Sequence, residues 1–262
     1  MSKYGVLVVS HGSRSVEWVK LVDRAVAGMR LPAGMPVFSS FLELVEGRLI
    51  PDGIRALEAQ GVTDLIVVPL FVSAGSTHVD EIAYAFGAVR EPPRKTGLPP
   101  FRSNARVHFG APMDDDPVVA RIVCDRLRSL SVEPRREALL VIGHGSDEPG
   151  YRERWRHTLE TAAERARSIG GFAGAEAATL LPDNVGDKLR RLMSRHADGD
   201  VLAVPLFLSE GYFTEKVIPE RLKGYRCKYD GRAMLPHPLV SEWMERQVRS
   251  LLATNLERGT NG

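Results

Sequence analysis

The chain predicts an α/β protein built as two similar doubly wound parallel-sheet domains, and three observations carry that expectation. Apolar, β-branched runs alternate with amphipathic helical segments, the pattern of a parallel sheet covered on both faces. Ser10-His11-Gly12-Ser13 returns 133 residues later as Gly143-His144-Gly145-Ser146. Val68 to Gly75 returns as Val204 to Gly211 at an offset of 136, with six of eight positions identical. A period this long signals a duplicated domain, because solenoid repeats run to about 20–50 residues.

Taken in order, Val6 to Val9 is a short strand ending at a glycine turn, and Val16, Val19, Val22, Val26 and Met29 follow at helical spacing. Phe38 to Leu44 reads as a second strand, Ile50 to Gln60 as a helix stopped by Gly61, and Asp64 to Phe71 as an apolar strand. A helix over Pro117 to Leu130 closes the half. The second half repeats the order, with strands at Ala138 to Ile142, Ala175 to Leu180 and Asp200 to Phe207, and helices at Arg152 to Ser168, Asp183 to His196 and Pro238 to Leu252. The polar, proline-containing stretch Ser131 to Arg136 separates a domain over residues 1–131 from one over 137–262. Arg90 to Arg102, with four prolines and four basic residues, has no counterpart in the second half. It reads as an exposed, mobile loop, either a solvated linker or a flap carrying cations toward an acidic ligand.

Composition bounds the function. The 262 residues, 44% hydrophobic and 26% charged with a formal net charge of +2, suffice for two cores. The interspersed charges argue against nucleic acid as the main partner. Four consecutive apolar residues near the N-terminus are too few for a signal-peptide core or a membrane span, so a cytoplasmic protein without a membrane partner is expected. Cys124 and Cys227, far apart, read as packing residues.

In open parallel sheets, ligands sit beyond the carboxyl ends of the strands. His11 follows the first strand, Glu43 ends the second, and His78 lies seven residues after Phe71. Three side chains scattered in sequence thus converge on one cleft. Two imidazoles and a carboxylate suit a divalent first-row metal such as Fe²⁺, Co²⁺, Ni²⁺ or Zn²⁺, and the same groups can accept protons. In the second half, Thr214 falls opposite His78, and Asp183 or Asn184 falls near the Glu43 region. His144 has lost its partner, so the working cleft is assigned to the first half and a structural role to the second. His157 and His196 read as solvated, and His108 and His237 as organisers of proline-containing turns.

His11-Gly12-Ser13-Arg14, Phe41-Leu42-Glu43-Leu44-Val45-Glu46, and Val68 to Gly75 followed by His78 stand in an order and spacing that resemble the class II chelatases, which insert metal into sirohydrochlorin or a related tetrapyrrole. The resemblance covers most of the chain, since long members of that family are two fused α/β halves. It implies that His11 and His78 bind the metal, that Glu43 is the acidic residue after the second strand, and that a divalent ion (Co²⁺, Fe²⁺ or Ni²⁺) enters the ring as a substrate without nucleotide. Many members carry Asp-Ile-Pro a few residues after the second histidine; this chain reads Val79-Asp80-Glu81-Ile82-Ala83, while Val217-Ile218-Pro219 stands in the second copy. A carboxylate-rich tetrapyrrole needs cations at its rim, and Arg14, with Ser13, Arg48, Arg90, Arg94, Lys95 and Arg102, supplies candidates. Duplication lets one chain do the work of a homodimer of half-length chains, so a monomer with pseudo-dimeric halves is expected.

Two other readings use the same residues. Histidine phosphatases also place a histidine after the first strand, but behind an arginine that binds the phosphoryl group; Ser10 and Gly143 occupy that position here. A non-catalytic carrier of metal or tetrapyrrole needs the same ligands as an inserting enzyme. Turnover separates the two.

Overall fold

The computed structural model describes residues 2–91 and 96–260. The first half runs β1 (Tyr4–Ser10), α1 (Val16–Ala27), β2 (Val37–Phe41), α2 (Ile50–Glu58), β3 (Asp64–Pro69), α3 (Thr77–Ala85), β4 (Arg106–Phe109) and α4 (Pro117–Leu127). The second runs β5 (Ala138–Gly145), α5 (Tyr151–Gly170), β6 (Gly174–Leu181), α6 (Val185–Arg195), β7 (Val201–Pro205), α7 (Ile218–Leu222), β8 (Cys227–Lys228) and α8 (Pro238–Thr260). A turn of π-helix, Phe213–Val217, leads into α7.

Two four-stranded, all-parallel sheets result, ordered β2-β1-β3-β4 and β6-β5-β7-β8. The repeat seen in sequence is therefore a repeat of topology. In the first sheet the two-residue alternation of a strand divides its apolar side chains between two faces. Leu7 and Val9 of β1 and Leu65 and Val67 of β3 join Ile50, Ile54 and Leu57 of α2 and Val79 and Ile82 of α3 in one core. Val6, Val8, Ile66 and Val68, all fully buried, face the other way, toward the side covered by α1 and α8. The central strand β1 is thus apolar from Val6 to Val9 because it is covered on both faces.

Four elements, α3, β4, α7 and β8, go beyond the sequence reading. Helix α3 holds His78 in its first turn, where the sequence reading assigns no element, and the short edge strands β4 and β8 complete the sheets. His108 lies on β4 and bonds Asp64 across 3.1 Å, instead of organising a turn. Within the segment Arg90 to Arg102, Leu98 and Phe101 pack against the core, and the Phe101 ring lies 4.9 Å from Phe86. The carboxyl side of that segment is anchored; Arg94 and Lys95 lie outside the described residues.

Packing groups the elements differently from the 1–131 and 137–262 division of the sequence. One compact unit holds β1 to β4, α1 to α3 and α8; the other holds β5 to β8, α4 to α7 and the link Val72–Ser76. The last helix of each half thus completes the sheet of the other. Helix α4 packs on α5 and β7, and α8 packs on α1 and β3. Hydrophobic periodicity shows that a helix has an apolar face, not which sheet that face covers. Close approach secures α8: a Cβ on Gly28, at the end of α1, would come within 2.6 Å of Ser241 Oγ, and that hydroxyl donates to the Ala25 carbonyl at 2.7 Å.

Helix α8 buries Val240, Trp243, Met244 and Val248 completely. Trp243→Ala should lower the unfolding free energy by about 3–5 kcal/mol, the usual cost of emptying a large aromatic site. Urea unfolding followed by circular dichroism measures this, and a loss below about 1 kcal/mol would show that α8 is dispensable to its unit.

Candidate metal and tetrapyrrole site

The first sheet ends its central strand at Ser10, and the chain must turn at once because β2 arrives alongside. Leu42 N–H donates to the Ser10 carbonyl at 2.9 Å and Glu43 N–H to the His11 carbonyl at 3.1 Å, so the two strand ends stay paired one step past the sheet. That pairing leaves no room at residue 12. Gly12 has φ +103°, and a Cβ there would collide with the Glu43 carbonyl oxygen. Glycine is required on both grounds. Immediately after Glu43, Leu44 takes φ +69° with its side chain 47% exposed. This conformation costs a branched residue about 1–2 kcal/mol, and it turns the chain away directly after the carboxylate.

The turn sets His11 beside Glu43, with Nε2 3.6 Å from Oε1. His78 reaches the same place from the first turn of α3, and the two imidazole rings lie 4.9 Å apart between centroids at an interplanar angle of 66°. All three residues predicted at strand ends are therefore together, within one compact unit. Both rings remain open to solvent, His11 41% and His78 38% exposed, so a ligand can reach them.

Hydrogen bonding orients the two rings alike. His11 Nδ1 lies 3.2 Å from the Gly12 carbonyl oxygen, which can only accept, so Nδ1 carries the proton in the neutral ring and Nε2 keeps its lone pair. His78 Nδ1 lies 3.1 Å from Glu81 Oε2, three residues on along α3, with the same consequence. Among the described residues no group of three or more His, Cys, Asp or Glu side chains is arranged to hold a metal ion. The site is a pair of imidazoles with one carboxylate beside it.

The candidate cations divide. Arg14 is exposed and, among the described residues, makes no hydrogen bond or ion pair. Ser13 Oγ accepts from the Ser15 N–H at 3.1 Å, shaping the turn before α1. Arg48, expected at the rim, is committed elsewhere: its guanidinium forks onto both carboxylate oxygens of Asp23, donates to the Ser39 carbonyl at 3.0 Å, and lies 4.8 Å over the Phe41 ring. That guanidinium holds the Asp23 carboxyl below its ordinary range. Arg48 ties β2 to α1.

The second unit keeps the scaffold and changes the chemistry. Gly145 has φ +80°, and a Cβ there would strike the Leu181 carbonyl, while His144 Nδ1 lies 3.0 Å from the Gly145 carbonyl. The ring facing His144 is Phe213, 5.0 Å away at 83°, and Thr214 is turned into the Gly211 bend. An aromatic hydrocarbon stands where the first unit has its second imidazole. Glu81 is the residue of the site that sequence reading missed; once His78 is placed on a helix, its position three residues on is the signal for it.

A model of the CbiX family matches residues 5–130 and, a second time, 138–251. The chain is 29% identical over 148 residues, 56% of its length, to the sirohydrochlorin ferrochelatase of Bacillus subtilis, spanning about half (53%) of that relative. It is 28% identical over 133 residues, 48% of its length and 92% of the relative's, to the sirohydrochlorin cobaltochelatase of Methanothermobacter thermautotrophicus. Among solved structures, SirB from Bacillus subtilis with Fe³⁺ superposes with a TM-score of 0.74 at 21% identity, covering 97% of this chain and 98% of that one. CbiX, the terminal enzyme for siroheme biosynthesis in denitrifying bacteria, gives 0.61 at 16% identity, covering 94% and 98%. These structural likenesses establish the fold. With the family model matched once in each half and over most of its length, the chain belongs to the CbiX family.

Proposed function

We propose that the protein is a sirohydrochlorin chelatase, inserting Co²⁺ or Fe²⁺ into a carboxylate-rich tetrapyrrole, with Ni²⁺ as a further substrate ion and without nucleotide. The observation that carries this reading is the pair of solvent-open imidazoles, 4.9 Å apart, each with Nδ1 bound to an acceptor and its lone pair on Nε2. Nitrogen donors of this kind suit first-row divalent ions. Two donors leave the other coordination positions open, which a cargo ion needs if ring nitrogens are to replace its remaining ligands.

Insertion exchanges one M²⁺ for the two pyrrole protons of the free-base ring. As the ring nitrogens take the ion from His11 and His78, two protons must leave. The Glu43 carboxylate, 3.6 Å from His11 Nε2, is placed to take one, and the Nε2 lone pair of His11, freed as the metal leaves, is placed to take the other. Water at the open face carries protons away. Arg14, exposed two residues beyond Gly12, supplies a guanidinium for a peripheral carboxylate of the ring. A monomer is the expected assembly, and no described helix is long and apolar enough to cross a membrane.

The reading is tested by mixing purified protein with sirohydrochlorin and each metal under anaerobic conditions and following the absorption bands of the ring. Many metallated rings per protein are expected; a stoichiometric amount would identify a carrier instead. His11→Ala and His78→Ala should each lower kcat/KM more than about 100-fold, whereas His144→Ala should stay within about threefold.

The two arginines should behave differently in the same assay. Arg14→Ala is expected to raise KM for the tetrapyrrole about tenfold, in line with one lost charged contact of about 1.4 kcal/mol. Arg48→Ala should leave KM unchanged and cost about 1 kcal/mol of stability, allowing for a half-exposed pair. Because Asp23 is held below its ordinary range in the folded protein, that contribution is present above the ordinary carboxylate range and fades as pH falls through the lowered value. Urea midpoints of both proteins at neutral and acid pH measure it.

A further inference from the structure

Helix α3 gives His78 a partner that has no equivalent at His11. Glu81 sits three residues along the helix, its side chain is 18% exposed, and its Oε2 accepts from His78 Nδ1 at 3.1 Å. His11 uses its own loop for the same purpose, donating to the Gly12 carbonyl, and turns its other nitrogen toward Glu43. The two histidines are thus wired differently: one is backed by a carboxylate behind the ring, the other has a carboxylate in front of it.

We propose that Glu81 is a positioning residue that sets the tautomer and orientation of His78, so that His78 Nε2 is the stronger of the two metal donors. This rests on the reading of the site as a metal-inserting one. The physical basis has two parts. A neutral imidazole free in water favours the proton on Nε2, the form that cannot bind a metal through that atom; a carboxylate accepting from Nδ1 reverses the preference and adds electron density to the ring. The i, i+3 spacing on one helix holds acceptor and ring together without a long loop, so little side-chain entropy is lost when the bond forms.

The two carboxylates lie against different ring nitrogens. At His11 the carboxylate stands 3.6 Å from Nε2, on the metal-binding side, where it competes with a metal for that nitrogen. At His78 the carboxylate stands behind the ring, clear of Nε2, and selects the Nδ1–H tautomer, whose lone pair lies on Nε2. Glu43 thus stands on the metal-binding side of its histidine and Glu81 on the opposite side of its own. In the second unit His144 keeps the backbone acceptor, but the ring facing it is that of Phe213, which has no lone pair to offer a metal.

The test uses the full-length protein, Co²⁺ as the probe, and the variants Glu81→Ala, Glu81→Gln and His78→Ala. Histidine ¹⁵N chemical shifts of the metal-free protein, taken where the rings are neutral, report the tautomer directly. Wild type should show His78 protonated on Nδ1, Glu81→Gln should keep that form because the amide oxygen still accepts, and Glu81→Ala should move it toward Nε2–H. Co²⁺ titration should show affinity falling about 10- to 100-fold in Glu81→Ala and only a few-fold in Glu81→Gln. In a His78→Ala background, Glu81→Ala should change Co²⁺ affinity less than twofold, because Glu81 acts only through that ring. An unaltered His78 tautomer and Co²⁺ affinity in Glu81→Ala, or an equal loss in the presence and absence of His78, would overturn the assignment of Glu81. If wild type binds Co²⁺ through His78 but never metallates sirohydrochlorin, the chelatase reading fails while the role of Glu81 stands.

Discussion

Everything at the site follows from the absence of a side chain at residue 12. The carbonyl of Glu43 occupies the space a Cβ would need, and the positive φ of Gly12 lets β1 turn before it meets the end of β2. Only that crossing brings two strand ends close enough for His11 to stand beside Glu43, and the parallel sheet brings α3, entering from β3, to the same edge with His78. A larger residue would separate the strand ends and with them the imidazole and the carboxylate. Gly12 is a backbone requirement with a chemical result.

The duplicated half shows scaffold and chemistry coming apart. Gly145 meets the same steric demand against Leu181, and His144 makes the same bond to its following carbonyl. What has changed is the element after the third strand of that sheet. In the first unit it is a regular helix that presents His78 with Glu81 behind it; in the second it is a π-helical turn that presents Phe213 and buries Thr214. The position facing the histidine is then a ring without a lone pair. The fold of a half is therefore not evidence of its activity, and the imidazole pair is what distinguishes the two.

Much of this was legible in the sequence. The long apolar runs of β1, β3, β5 and β7 follow from their burial on both faces, and the offset of the two His-Gly motifs revealed the duplication because a turn this tight tolerates little change. The gathering of His11, Glu43 and His78 followed from the rule that ligands sit at the carboxyl ends of parallel strands. Helix α3 escaped because Thr77 to Ala85 is short and its buried positions Val79, Ile82 and Ala83 make a faint periodicity after a Gly- and Ser-containing loop. Losing the helix also lost Glu81. Arg48 was misplaced because nearness in sequence to a cleft says nothing about which carboxylate claims the guanidinium first, and Asp23, on the neighbouring helix, is closer. The exchange of α4 and α8 between the two sheets lay beyond pattern reading, since each helix has an apolar stripe suited to either sheet.

The central claim is that His11 and His78 grip one divalent ion through Nε2, side by side. X-ray absorption at the cobalt edge of the Co²⁺-loaded protein tests it most directly. Two imidazole nitrogens in the coordination shell are expected, falling to one when either histidine is replaced by alanine. A shell of oxygen donors alone, or an imidazole count unchanged by both replacements, would contradict the account.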